Sequence, residues 1–223
     1  MKNAKKNRMS LLPVYGLIPL IATACATALT YYGTKLLSPF LSYHDLSLGI
    51  DHMLPFVPAF VVFYVLAFAQ WVTGLAAFAW EGRDFCYSLI SGEIIAKLIC
   101  MALFLIIPTA IERPEVTSGD IFSTFTRFIY SVDAPNNLFP SIHCLESWAC
   151  LRGALKMKKA GAWYKGFSLV LTLLVFASTV LIKQHFVIDI FAGVLVFELG
   201  LFISAKTGAS GLFYKLEERF TRN

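Results

Sequence analysis

Residues 9–34 read MSLLPVYGLIPLIATACATALTYYGT, a run of 26 residues without a charged side chain. A helix that crosses a bilayer needs about 20 consecutive apolar residues, so this run predicts a membrane-spanning helix with some tilt. Four basic residues precede it, as in a secretory signal peptide, but the apolar run is too long for the core of such a peptide. We therefore expect a retained membrane helix here.

Further spanning helices are predicted along the chain. A second charge-free run fills residues 52–80, and four weaker apolar segments follow. The six predicted spanning helices cover about residues 9–34, 57–80, 88–111, 141–155, 167–182 and 187–205. Glu93 and Lys97 lie four residues apart on one face of the third helix, where they can pair within the bilayer. Glu146 and Glu198 interrupt later helices and are expected to face the bundle interior.

The composition indicates the same class of protein. Hydrophobic residues make up 57% of the 223 residues, and only 33 are charged, 19 basic and 14 acidic. Six spans of about 20 apolar residues require about 120, which is close to what the chain holds. Soluble proteins are usually about 25% charged, whereas this chain is 15% charged and has a mean hydropathy of +0.68. These values exclude a soluble globular domain, a disordered chain and a nucleic-acid-binding protein, the last despite a net charge of +5.

The basic residues predict how the bundle is oriented, because Lys and Arg gather in cytoplasmic loops. With the N-terminus inside, fourteen of the nineteen are cytoplasmic and Lys97 lies in the membrane. The four on the outside are Lys35, Arg113, Arg127 and Lys183. We therefore predict one all-α domain over residues 1–223, a polytopic bundle of six transmembrane helices in the cell membrane with both termini in the cytoplasm.

The five cysteines are odd in number and show no metal-ligand spacing such as CxxC. We interpret them as small buried hydrophobic residues. They are Cys25, Cys86, Cys100, Cys144 and Cys150.

The longest polar stretch is residues 112–139, which is rich in proline, glycine and asparagine. This composition is typical of a loop, here on the outer side, with a short amphipathic piece at about residues 121–130. A loop of this length in so small a membrane protein is expected to have a function.

Polar groups that carry chemistry converge on the outer face. Arg113 ends the third predicted helix, His143 opens the fourth, and His185 precedes the sixth. The two histidines are 42 residues apart, which allows one crossing inward and one back, so both imidazoles return to one membrane surface. Asp189 lies one helical turn after His185, where its carboxylate can fix the tautomer and orientation of that ring.

These side chains suit phosphoryl transfer. A histidine held by a carboxylate can act as a nucleophile or base, and His143 can supply the complementary general acid. Arg113 and Lys183 offer cationic donors to an anion between the two rings. A covalent phosphohistidine is the expected intermediate.

In order and spacing, these residues resemble the type 2 phosphatidic acid phosphatase superfamily of integral-membrane lipid phosphatases and lipid phosphotransferases. Its motifs are K-x6-R-P, P-S-G-H and S-R-x5-H-x3-D. The matching segments are Arg113-Pro114, then Pro140-Ser141-Ile142-His143, then Ser178-Thr179 with His185 and Asp189. The resemblance spans about residues 85–205.

The resemblance implies a role for each residue. His185 attacks phosphorus, Asp189 supports it, and His143 protonates the leaving alkoxide or phosphate. Arg113 and Ser141 hold the phosphoryl oxygens, and the family requires no metal ion or other cofactor. Side-chain donors then stabilise the charge of the transition state.

Three positions depart from the motifs of the family. Ile106 stands where the first motif has lysine, Ile142 where the second has glycine, and Thr179 where the third has arginine. Two expected phosphate ligands are therefore missing, and Lys183 and Arg127 are the nearby cations that can replace them. Weakened first and third motifs also occur in the branch that resembles sphingomyelin synthase and inositol phosphorylceramide synthase, so an alcohol is an alternative acceptor to water.

The leading hypothesis is a lipid phosphatase that acts at the extracytoplasmic face on phosphatidate, phosphatidylglycerophosphate, diacylglycerol pyrophosphate or an isoprenoid pyrophosphate. Its rivals are a lipid headgroup phosphotransferase and a non-enzymatic transporter or inactive relative. For single residues, the alternatives are a structural hydrogen bond between His185 and Asp189, a helix cap at Ser141, and a zinc ion held by both histidines and Asp189.

Overall fold

The structure, a computed structural model, describes residues 13–221. This part of the chain is all-helical and contains no β-strand, as the sequence predicts. The α-helices are α1 (Val14–Ala28), α2 (Gly49–Met53), α3 (Val61–Glu81), α4 (Arg83–Ile106), α5 (Ile121–Val132), α6 (Ile142–Lys156), α7 (Ala162–Leu181), α8 (Val187–Thr207) and α9 (Gly211–Thr221). A π-helical turn, Leu29–Gly33, continues α1. Residues 9–12 of the first predicted helix lie outside the described residues.

Five of the described helical segments are long and apolar enough to cross a bilayer. They are Val14–Gly33, Pro58–Glu81, Arg83–Ile106, Ala162–Leu181 and Val187–Thr207. The fourth predicted span corresponds to α6, which has only 15 residues. At 1.5 Å per residue such a helix is about 22 Å long, shorter than the hydrocarbon core of about 30 Å. The structure thus supports a membrane bundle with five candidate spans, and the sixth crossing and the orientation stay predictions.

The bounds of two helices, α4 and α7, differ from the prediction. The third spanning helix is predicted at residues 88–111, but α4 begins at Arg83 directly after Gly82, whose φ of 154° breaks α3 from α4. Asp84 is tolerated in the first turn because an acidic side chain there interacts favourably with the helix dipole. Pro108 has no N–H and therefore prevents α4 from continuing through the predicted end. Similarly, α7 begins at Ala162, five residues earlier than predicted.

The centre of the bundle is built from close helix contacts. A Cβ added at Gly200 of α8 would lie 2.3 Å from the carbonyl oxygen of Gly92 in α4, so the two helices meet backbone to backbone. Helix α6 packs against α3, α4, α7 and α8. Its neighbours are protein rather than lipid, which explains how a helix that carries polar residues occupies the interior. Four of the five cysteines are buried in the bundle as predicted, whereas Cys25 is exposed.

A buried ion cluster links α4 to α6. The Lys97 ammonium lies 2.6 Å from Oε1 of Glu93 and 2.6 Å from Oε1 of Glu146, and it donates to the Thr23 hydroxyl at 2.6 Å. The predicted Glu93–Lys97 pair and the inward position of Glu146 are therefore confirmed. Glu198, also predicted to face inward, bonds Trp148 and Arg152 of α6, although 37% of its side chain is exposed.

We predict that Lys97→Met lowers the free energy of unfolding by about 3–5 kcal/mol, because the two carboxylates then lose their buried cation. Thermal unfolding in detergent measures the loss. Adding Glu93→Gln and Glu146→Gln to this variant should recover most of it, since no buried charge then remains. A triple variant as unstable as Lys97→Met alone would show that side-chain packing, not charge, is responsible.

Candidate active site

Three helices bring the predicted residues together at one end of the bundle. His143 lies in the first turn of α6, His185 in the turn between α7 and α8, and Asp189 in the first turn of α8. The centroids of the two imidazole rings are 6.2 Å apart, with their planes inclined by 56°. The two rings that the sequence predicts on one surface therefore face a common space.

The His185 ring is fixed by Asp189. Nδ1 of His185 lies 3.2 Å from Oδ2 of Asp189, and the same oxygen accepts a hydrogen bond from the Phe186 N–H at 2.9 Å. Both side chains are buried. Because the carboxylate engages Nδ1, the ring carries its proton there and presents the lone pair of Nε2 for attack on an electrophile.

Aromatic rings hold His143 in place. The Tyr64 ring stacks on the imidazole at a centroid distance of 4.0 Å, and the rings of Phe68 and Trp71 contact it from other sides. Nε2 of His143 is buried and has no hydrogen-bond partner among the described residues. A buried polar atom without a partner is costly, so a group that binds between the histidines accounts for it best.

A carboxylate that the sequence does not single out, Asp133, lies behind Tyr64. The hydroxyl of Tyr64 donates to its Oδ2 at 2.7 Å, and the hydroxyl of Tyr31 donates to its Oδ1. Burial acts to raise the pKa of Asp133, but the nearby His143 and the two hydroxyl donors outweigh it, so the pKa lies below its ordinary value. The ionised carboxylate fixes Tyr64 and, through the stacked ring, His143.

Arg113 ties the long loop to the site. Its guanidinium donates to the carbonyl oxygens of Asp133 at 2.7 Å and Tyr130 at 3.3 Å, and to the side-chain oxygen of Gln184. Its Nε is buried and has no hydrogen-bond partner within residues 13–221. Arg113 is therefore held next to His185, and Nε is the donor that its contacts leave open.

Ser141 and Lys183 have structural contacts of their own. Ser141 caps α6 by accepting from the Cys144 N–H at 3.3 Å, which agrees with the alternative reading of this residue from the sequence. The ammonium of Lys183 donates to the carbonyl oxygens of Asp51 at 2.9 Å and Leu54 at 2.7 Å. These bonds attach the loop between α1 and α3 to the turn that carries His185.

Two cavities meet at His185. The first has a volume of about 360 Å³ and is lined mainly by apolar and aromatic side chains, together with Asp133, His143 and His185. The second has a volume of about 690 Å³ and is lined by apolar residues and, in similar measure, by polar ones that include Arg113, Lys183 and His185, so it is the more polar of the two. We call them the apolar cavity and the polar cavity. The nucleophile candidate therefore contacts two chemically different environments.

Two of the three positions that depart from the motifs, Ile106 and Thr179, lie away from both cavities, whereas Ile142 lines the apolar cavity beside His143. Ile106 points outward and is exposed, and Thr179 is buried with its hydroxyl bonded to the Phe176 carbonyl. Arg127 donates to the carbonyl oxygens of Val116 and Ser118 and lines neither cavity. Lys183 is thus the better placed of the two cations suggested from the sequence.

The described residues contain no group of three or more His, Cys, Asp and Glu side chains arranged to hold a metal ion. The contacts of Asp189 go to His185 and to the Phe186 N–H. The zinc alternative therefore has no preformed ligand set in this part of the chain.

Apolar helices around a pocket that contains two histidines indicate a helical membrane protein, and the pocket holds the side chains that the sequence predicts for phosphoryl transfer. The family model of the PAP2 superfamily matches residues 81–207, more than half of the chain, and the chain belongs to this superfamily. The match contains all of α4 to α8 and every predicted site residue. The family is one of phosphatase- and phosphotransferase-type lipid enzymes. No significant match is found among curated proteins or solved structures.

We predict that Tyr64→Leu lowers kcat on a lipid phosphate about 10- to 100-fold, because His143, the general acid expected from the sequence, loses most of its effect when it is displaced by about 1 Å. Tyr64→Phe keeps the stacked ring and loses only the bond to Asp133, so its loss should be smaller. Steady-state kinetics in detergent micelles measure both. Tyr31→Phe is the matched control, since it removes the other hydroxyl from Asp133 without touching His143. Equal losses in all three variants would contradict a role for the stacked ring.

Proposed function

We propose that this protein is an integral-membrane lipid phosphatase, which transfers a phosphate from an anionic lipid to His185 and then to water. The position of His185 in the wall of both cavities carries the proposal. The apolar cavity suits the lipid part of the substrate, and the polar cavity admits water. Phosphatidate, phosphatidylglycerophosphate and isoprenoid pyrophosphates are the candidate substrates.

In the first step, Nε2 of His185 attacks phosphorus, the N–P bond forms, and the P–O bond to the lipid breaks. The leaving oxygen takes a proton from His143, so a phosphate ester departs as the lipid alcohol and an isoprenoid pyrophosphate departs as the lipid monophosphate. His143 lines the apolar cavity, where the proposal places the lipid oxygen. Asp189 stabilises the positive charge that develops on the His185 ring.

In the second step, water attacks the phosphohistidine. His143, now neutral, takes the proton from the water, and the N–P bond breaks with its electrons returning to His185. The products are inorganic phosphate and the lipid alcohol, or the lipid monophosphate when the substrate is a pyrophosphate, so one water is consumed for each P–O bond cleaved. Both histidines return to their starting protonation states.

Cationic and hydroxyl donors are proposed to hold the phosphoryl oxygens. Arg113 has a buried Nε with no partner in the described part of the chain, and Lys183 lies in the same cavity wall as His185. The Ser141 hydroxyl accepts from the Cys144 N–H, which leaves its own proton for a phosphoryl oxygen. These donors supply transition-state stabilisation, so the proposed reaction uses no cofactor.

We further propose that α6 completes six crossings, with both termini in the cytoplasm and the site at the extracytoplasmic face of the cell membrane. The excess of basic residues at one side of the predicted bundle supports this orientation. A helix enclosed by protein need not match the thickness of the hydrocarbon, because its ends are covered by loops and neighbouring helices.

We predict that His185→Ala lowers phosphate release on the order of 1,000-fold or more, because the nucleophile is lost. His143→Ala should slow formation of the phosphoenzyme, and His44→Ala, a change in an exposed loop, should have no effect. The assay incubates purified protein with ³²P-labelled phosphatidate, and alkaline quenching preserves an acid-labile phosphohistidine for detection.

The same assay distinguishes the rival functions. Formation of a new headgroup lipid without phosphate release would show that the protein is a phosphotransferase rather than a phosphatase. Absence of turnover and of phosphohistidine with every candidate lipid would refute both and favour a non-enzymatic relative.

A further inference from the structure

Helix α5 has three distinct faces. Ser123, Thr126 and Ile129 are buried against the rest of the protein. The exposed surface divides into a polar strip, formed by Thr124, Arg127 and Ser131, and an apolar strip, formed by Ile121, Phe128 and Val132. Residues three and four apart lie on the same face of a helix, so each strip is continuous.

The apolar strip is strongly exposed. Ile121 is 77% exposed, Phe128 57% and Val132 58%. A helix on a water-covered surface places its apolar residues inward, whereas α5 buries two hydroxyl side chains and turns four large apolar ones outward, the three of the apolar strip and Phe122. A helix with one apolar and one polar exposed strip lies in the boundary between hydrocarbon and water.

The apolar strip continues into the mouth of the apolar cavity. Val132 lines this cavity together with Ala28 and Tyr32 from the end of the first span and Phe68 from α3. All four residues are exposed at the outer surface of the bundle. The cavity is therefore open sideways between α1 and α3, beneath α5, at helices whose outward faces contact hydrocarbon if they span the bilayer.

We propose that this side opening is a lipid entrance, and that α5 lies at the membrane surface as its outer rim. The occupant is a single membrane phospholipid, whose phosphate passes inward to the histidines while its acyl chains stay among the bilayer lipids. The volume of about 360 Å³ accommodates a headgroup and the first part of the chains. The entrance serves the proposed function, and a small water-soluble phosphate ester reaches His185 through the polar cavity instead.

The test narrows the opening with Ala28→Trp and uses Ala24→Trp as the matched control. Ala24 is also exposed on α1, one turn earlier, and does not line the cavity. The assay compares dioleoyl phosphatidate in proteoliposomes with p-nitrophenyl phosphate in solution. Ala28→Trp should lower turnover of the lipid about tenfold or more and leave turnover of the soluble ester within about twofold, while Ala24→Trp changes neither.

The outcomes separate the two proposals. Equal losses on both substrates, or no loss on the lipid, would overturn the entrance. A wild-type protein that turns over neither substrate would refute the proposed function. The membrane position of α5 is then tested by a second measurement that does not depend on enzyme activity.

That second measurement uses nitroxide labels at Phe128→Cys and Ser131→Cys. Cys25 is the exposed cysteine among the five, so the labels are placed in a Cys25→Ala background. In proteoliposomes, the label at position 128 should be relaxed more by oxygen than by a water-soluble nickel chelate, and the label at 131 should show the reverse. Greater relaxation by the nickel chelate at both positions would place α5 in water and overturn the proposed rim.

Discussion

Asp189, which belongs to the third motif, also bonds Ser141 of the second motif and so links the two. Its carboxylate accepts from Nδ1 of His185 and from the Phe186 N–H, while its main-chain carbonyl accepts from the Ser141 N–H at 3.1 Å. One turn later, a Cβ at Gly193 would lie 2.6 Å from the Ser141 carbonyl, so the absence of a side chain lets α8 rest on the start of α6. The positions of both imidazoles therefore depend on the first two turns of α8.

Because the surroundings are apolar, the buried polar groups that position the two imidazoles have few alternative partners. Away from the two cavities, water does not reach the interior of a membrane bundle to replace a lost partner, so polar groups there must pair within the protein. Lys97 binds Glu146, which lies three residues after His143 on α6. The helix that carries one histidine is thus fixed at its start by α8 and one turn later by the buried ion cluster.

Local patterns predicted the parts of the protein that depend on neighbours in sequence. Apolar runs located the helices, and the spacing of Glu93 with Lys97 and of His185 with Asp189 predicted two contacts that the structure contains. Helix α6 shows where such patterns fail. Its 15 residues carry several polar side chains, and only its contacts with four other helices explain how it lies in the centre.

The parts of the site that were not predicted depend on contacts between distant segments. Tyr64 lies in an apolar run, where sequence does not distinguish an aromatic residue of the site from one of the core. Asp133 is one of several polar residues in a long loop, and its partners come from α3 and the end of the first span. Lys183 has a φ of 52°, and the carbonyl groups of another loop hold its ammonium, an arrangement that no local pattern encodes.

The place of His185 between two cavities also bears on how the reaction ends. In the proposed reaction, the lipid alcohol is formed on the apolar side of the ring and inorganic phosphate on the polar side. Each product then leaves into the phase in which it dissolves, the alcohol into the bilayer and the phosphate into water. Neither has to pass the other, so a membrane already rich in the alcohol does not obstruct the departure of phosphate.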